Sequence, residues 1–211
     1  MNRLILLSLL IPCLAFGQHT KGVKRGKYYI GVDLKGKEAV LANKYCTCFN
    51  NHKYNPTQRR SFFPFNKAAS VRLISFTLPS DINQPDDYSL AYTPVSAGHY
   101  KINTRQIKES KILSGAAVDS LTDMMYNVGY TPIKLNFKLV SARYNCYDPH
   151  NAILFFNNEG EVNEYIELCF DCERYFLSSS KIKNTIYCDQ KYDMLKGFFV
   201  AQGIKYGTVL P

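Results

Sequence analysis

Tryptophan is absent from this 211-residue chain, methionine and histidine occur four times each, and acid is scarce, with 17 Asp and Glu against 26 Lys and Arg. The motifs that carry common chemistries are missing too. There is no Gly-x-Ser-x-Gly, no His-Glu-x-x-His, no EF-hand loop and no glycine-rich phosphate loop, so no reaction is assigned by a motif. No internal repeat is visible. Beyond the N-terminus no apolar run approaches the roughly 20 residues that span a bilayer. What is present is ordinary for a globular chain. Apolar residues make up 46% and charged residues 20%, which excludes wholesale disorder and a collagen-like chain.

The N-terminus reads as an export signal over residues 1–17. Arg3 is a short positive region, Leu4 to Leu10 with Ile11 form the apolar stretch, and Pro12 breaks the helix. Ala15-Phe16-Gly17 puts small residues at the −3 and −1 positions of a peptidase site, so Gln18 is the expected mature terminus. Leu10-Ile11-Pro12-Cys13 resembles a bacterial lipobox, but Pro12 stands where that motif needs a small residue, which argues against a lipid on Cys13. Residues 18–211 are expected to form one α+β domain, with a loop-rich part (18–103) and a hairpin-plus-helices core (104–211).

Along the chain, Lys27 to Leu34 and Val71 to Leu78 have the β-branched and aromatic content of strands, and Lys35-Gly36-Lys37 is a turn. Residues 44–67 show neither period and read as a loop tied down by Cys46 and Cys48, while 79–94 is a proline-rich connector. Val118, Leu121, Met124, Met125 and Val128 recur at helical spacing. They predict a helix over about 116–128, started by Ser114 or Gly115 and closed by Gly129. Leu135, Phe137 and Leu139 alternate with polar residues, predicting a half-buried strand over 134–144. A second helix fits about 190–202, with Asp189 as N-cap and Gly203 past its end. The fold class is α+β: an antiparallel sheet with a central hairpin at about 152–170, packed by these two helices.

That hairpin is the most informative segment. Asn157-Asn158-Glu159-Gly160 suits a type I turn followed by a left-handed glycine. A loop at 158–160 pairs Asn157 with Glu161, Phe156 with Val162, Leu154 with Glu164 and Ala152 with Ile166. Both faces carry apolar residues, as in a sheet covered on both sides. Extending the same register sets Cys146 opposite Cys172, where opposed Cβ atoms lie about 4.5–5.5 Å apart, and brings His150 near Leu168 and Cys169.

Export leaves six cysteines: Cys46, Cys48, Cys146, Cys169, Cys172 and Cys188. An even number in an oxidising compartment favours disulfides. Three readings compete for the group at the open end of the hairpin. One is a structural Cys146–Cys172 disulfide, which is favoured. The second is a zinc site of Cys146, His150, Cys169 and Cys172. The third is a redox pair at Cys169-Phe170-Asp171-Cys172, a motif that normally opens a helix and here closes a strand next to an acid. Strand parity separates Cys169 from Cys172 on a regular strand; only a turn at Phe170-Asp171 lets all four groups converge. In the first case Cys188 and the Cys46/Cys48 pair are the alternative partners.

His19, His52 and His99 read as solvated residues rather than general bases, and Glu161, Glu164 and Glu167 as a partly exposed strand edge. The basic surplus points to an anionic surface or protein as partner; export argues against nucleic acid. The expectation is a non-enzymatic exported protein held by disulfides, with no cofactor. Its alternative is a zinc-binding or thiol-redox protein using the hairpin-end cluster.

Overall fold

The computed structural model describes residues 34–78, 92–96 (backbone only), 99–139, 147–183, 185 and 188–210. The export segment 1–17 with Cys13, the expected strand from Lys27 up to Leu34, most of the 79–94 connector and Cys146 lie outside the described residues. The elements are α1 (Lys37–Cys46), β1 (Cys48–Asn50), α2 (Pro56–Arg60), β2 (Ser70–Phe76), β3 (Tyr92–Ser96), β4 (His99–Ile102), β5 (Ile107–Ile112), α3 (Gly115–Tyr126), β6 (Val128–Tyr130), β7 (Asn151–Phe156), β8 (Val162–Cys169), β9 (Arg174–Leu177) and α4 (Lys191–Ala201).

The architecture is α+β: a curled antiparallel sheet in the order β3-β4-β8-β7-β2-β5, with β9 also on β8, and a separate β1–β6 ribbon. The hairpin β7–β8 lies inside this sheet, and every residue of β7 is buried. One face of the sheet carries Val71, Leu73, Ile153, Phe155, Ile166 and Leu168 against α3 (Ala117, Leu121, Met125) and α4 (Tyr192, Leu195, Phe198, Phe199). The opposite face carries Ile74, Phe76, Ala152, Leu154, Phe156 and Tyr165, covered in part by Tyr100, Ile102, Ile107 and Phe176. Leu73, Phe155 and Phe199 are wholly inaccessible. At about 1.5–3 kcal/mol for each such side chain, they outweigh an exposed pair such as His99–Glu161, worth about 0–1 kcal/mol.

The hairpin loop forms as expected. The Asn157 side-chain oxygen accepts from the N–H groups of Glu159 and Glu161, and Gly160 takes φ 78°. Phe156 pairs with Val162 as expected, but the pairing then shifts by one residue. Leu154 faces Tyr165 rather than Glu164, and Ala152 faces Glu167 rather than Ile166. The cause is a bulge at Asn163. Val162 and Tyr165, three apart, would point to opposite faces of a regular strand; the extra residue lets both enter the same apolar cluster.

Other expectations are corrected at element ends. Residues 134–139 keep the alternation of half-buried and exposed side chains but form no strand, and the rest of the expected strand, 140–144, lies outside the described residues. Leu135, Phe137 and Leu139 line a cavity of about 410 Å³ with Tyr45, Cys46 and Tyr130. Ser114 caps α3, its hydroxyl accepting from Ala117 N–H at 3.2 Å. That helix stops at Tyr126, however, and Gly129 lies in β6 opposite Phe49. The N-cap of α4 is Gln190, not Asp189, while Gly203 follows the helix at φ 91° as expected. The supposed loop 44–67 contains the end of α1, β1 and α2; the last of these starts with a capping box between Asn55 and Gln58 and with Pro56 in its first turn.

The C-terminal turn packs back on the sheet. Glu109 of β5 accepts from the backbone N–H groups of Lys205 and Tyr206 and from the Ser75 hydroxyl. Gly207 sits at φ 67° with no room for a side chain: a Cβ there would lie 2.4 Å from His150 Cβ and 2.7 Å from Asn151 Oδ1. Gly207→Ala should therefore destabilise the protein by about 1–3 kcal/mol, read as a lowered midpoint in urea; an unchanged midpoint would show that this turn does not pack on the hairpin.

Candidate functional site

The chain turns directly after Cys169. Residues 170–173 form the turn from β8 to β9, Glu173 takes φ 49°, and Cys169 pairs with Arg174. The register argument therefore does not carry through to Cys172, which lies in the turn with its N–H donated to Cys169 Sγ at 3.3 Å. Cys172 is disulfide-bonded; Cys146, its expected partner, lies outside the described residues. Cys169 is a buried thiol. Burial pushes it up, more than the N–H groups of Asp148 and Cys172 lower it. A redox nucleophile needs the opposite, a stabilised thiolate.

His150 precedes Asn151, which pairs with Leu168, so its backbone lies beside Cys169 as expected. The imidazole is engaged elsewhere: Nδ1 lies 3.3 Å from the Phe76 carbonyl, Nε2 lies 3.5 Å from Asp148 Oδ2, and the ring meets Tyr206 edge to face. Among the described residues no three His, Cys, Asp or Glu side chains gather to hold a metal ion.

The acids on β8 depart from the exposed edge expected of them. Glu161 is exposed and pairs with His99 at 3.2 Å. Glu164 is buried, hydrogen-bonded by the Ser178 hydroxyl, and raised from its ordinary value by burial. Glu167 is wholly buried and accepts from the Tyr147 hydroxyl at 2.9 Å. Their burial follows from β9, which turns back after Cys169 and pairs along β8, closing the edge expected to be open. His52 is exposed, as expected.

The strongest convergence is at the C-terminal end of α3. Cys48 of β1 and Cys188, three residues before α4, are joined by a disulfide across 140 residues. Cys48 N–H donates to Gln190 Oε1 at 2.8 Å and Asp189 N–H to the Cys46 carbonyl at 2.9 Å. Lys191 N–H donates to the Cys188 carbonyl at 3.0 Å, which takes one of the N–H groups a capping Asp189 carboxylate would have accepted from. Beside the bridge, Cys46 is a buried thiol. The buried Arg59 guanidinium bonds Asp119, Asp123, Thr122 and the Tyr54 carbonyl, and Asn127 bonds Asp123 and both backbone groups of Tyr54. Sequence inspection missed this network because its members come from four segments.

Lys191 lies at the centre of this junction with no exposed surface. Its Nζ donates to the carbonyls of Met125 at 3.2 Å and Val128 at 2.5 Å, so it closes the end of α3. The helix dipole and Asp123 favour the cation, but burial dominates and pushes the amine down to about 7. A neutral amine still has two N–H groups for the two carbonyls.

Compared with family models, curated proteins and solved structures, the chain matches none.

The Lys191 environment makes stability depend on pH. Between about 7 and 10.5 the unfolded chain holds a proton that the folded chain has lost, so stability from this group rises with pH across that window and is flat below it. The slope is at most about 1.4 kcal/mol per pH unit. Relative to Lys191→Met, the wild type should gain stability between pH 6 and 9 in denaturant titrations. A difference independent of pH would contradict the burial of the amine.

Proposed function

We propose that residues 1–17 export this chain and that the mature protein, from Gln18, is a disulfide-clamped, non-enzymatic protein that acts by binding a negatively charged surface or protein outside the cytoplasm. The observation that carries the reading is the Cys48–Cys188 disulfide, a bond that persists in oxidising compartments and not in a reducing cytosol. The pairing of Cys146 with Cys172 completes the clamp. It is supported by the disulfide state of Cys172 and the thiols at Cys46 and Cys169. The net charge of the full chain is +9, and only Arg3 of it leaves with residues 1–17, so the mature chain stays basic enough to support an anionic partner. No helix among the described residues is long and apolar enough to cross a membrane. Zinc or redox chemistry at Cys146, His150, Cys169 and Cys172 is the less favoured reading: the raised Cys169 thiol opposes a redox role, and the His150 ring faces the C-terminal turn rather than a shared zinc.

Production with the leader in a bacterial secretory host tests this. The expected product begins at Gln18, carries two thiols (Cys46 and Cys169) that react only after unfolding, contains no zinc, and is held by phosphatidylglycerol vesicles at low salt and released by added salt. Retention of residues 1–17, stoichiometric zinc, or a thiol pair cycling under mild dithiol would contradict it.

A further inference from the structure

Beside the Arg59 and Asn127 network, two lysines converge on one tyrosine. Lys183 Nζ lies 3.2 Å from Tyr54 Oη, 4.6 Å from the Tyr54 ring centre and 4.0 Å from that of Phe62. Lys53 Nζ lies 5.1 Å over the same Tyr54 ring. Tyr54 is held in place by its backbone: its N–H donates to Asn127 Oδ1 at 2.8 Å, and its carbonyl accepts from Asn127 Nδ2 at 2.9 Å and Arg59 Nη1 at 2.8 Å. Tyr54 and Phe62 meet edge to face at 4.9 Å, forming a fixed wall for the Lys183 ammonium.

A cation–π contact orients an ammonium without cancelling its charge. Among the described residues neither Lys53 nor Lys183 reaches a carboxylate; the nearby Asp119 and Asp123 are taken by Arg59, Asn50 and Asn127. Two like charges thus stand at one tyrosine side chain with no protein anion between them among the described residues. They stand at a cavity of about 180 Å³ whose lining includes Asn51, Tyr126 and Thr185. That is below the roughly 300 Å³ where pockets for drug-sized ligands begin, so it suits a small ion.

We propose that Lys53, Tyr54 and Lys183 form a binding site for a phosphate group at this cavity, free or carried on a larger anion. Both ammoniums would donate charge-assisted hydrogen bonds to its oxygens, and the phenol would donate a third. This deepens the reading of an anionic partner and rests on it for the sign of the ligand's charge. The lowered ionisation of Tyr54, caused first by the hydrogen bonds of Lys53 and Lys183, gives the site a spectroscopic reporter.

The test titrates the full mature chain with inorganic phosphate at constant ionic strength, comparing wild type, Lys53→Gln/Lys183→Gln, and Lys101→Gln/Lys108→Gln as a control that removes equal charge elsewhere. Saturable binding is expected in wild type and control and about tenfold weaker binding in the first variant, with thermal melting confirming that each is folded. Phosphate should also raise the ionisation midpoint of Tyr54, read as the tyrosinate absorbance of wild type minus Tyr54→Phe. Phosphatidylglycerol vesicles then separate the sources. Vesicle binding lost only in Lys53→Gln/Lys183→Gln supports the site and makes the phosphate lipid-borne. Phosphate binding without vesicle binding supports the site and overturns the surface reading. No saturable phosphate binding by wild type, or equal loss in both double variants, overturns the site; vesicle binding that persists alongside that result leaves the surface reading standing.

Discussion

The bond between Cys48 and Cys188 is the constraint around which the described structure is arranged. It joins a three-residue strand that could not hold itself to the segment just before the last helix, across 140 residues. A loop of that length corresponds to roughly 4–5 kcal/mol of lost unfolded-state freedom in the chain-entropy picture, comparable with the lower end of a domain's whole stability of about 5–15 kcal/mol. The same junction fixes Gln190 against Cys48 N–H and Lys191 against the end of α3. The boundaries of α3, β6 and α4 follow from it: Lys191 takes up carbonyls where α3 ends, and the chain passes at once into the strand that pairs with β1.

The sheet imposes the second constraint. Its central strands are buried on both faces, one against helices and the other inside the curl. The acids of the sheet each find a partner. Glu167 meets Tyr147, Glu164 meets Ser178, and Glu109 holds the C-terminal turn. In Glu109 burial opposes the charge, but the N–H groups of Tyr206 and Lys205 and the Ser75 hydroxyl prevail and keep the carboxyl below its ordinary range. These acids hold neighbouring segments against the sheet.

Features encoded locally were legible in the sequence. The hairpin loop follows from Asn157 and Gly160, α3 and α4 (though not α1) from their apolar spacing, and the two-faced burial from the unbroken apolar run in β7. The α2 capping box was equally local, in Asn55-Pro56-Thr57-Gln58, and went unread because the segment is short. Features set by distant partners were not legible. The bulge at Asn163 depends on which cluster Val162 and Tyr165 share, and the end of α3 on a lysine some 65 residues later. The alternation at 134–139 tells which side chains turn inward but not whether a neighbouring strand offers its edge. Of the candidate site, the proximity of His150 to Cys169 was legible from the register, whereas the direction of the imidazole and the turn at Cys172 were not.

Peptide mapping of the unreduced, alkylated protein by mass spectrometry tests the central claim most directly. The account predicts a linked pair of peptides carrying Cys48 and Cys188, with alkylation on Cys46 and Cys169 once the chain is unfolded. Cys188 found joined to Cys46, or both Cys48 and Cys188 recovered as alkylated thiols from the exported protein, would contradict it.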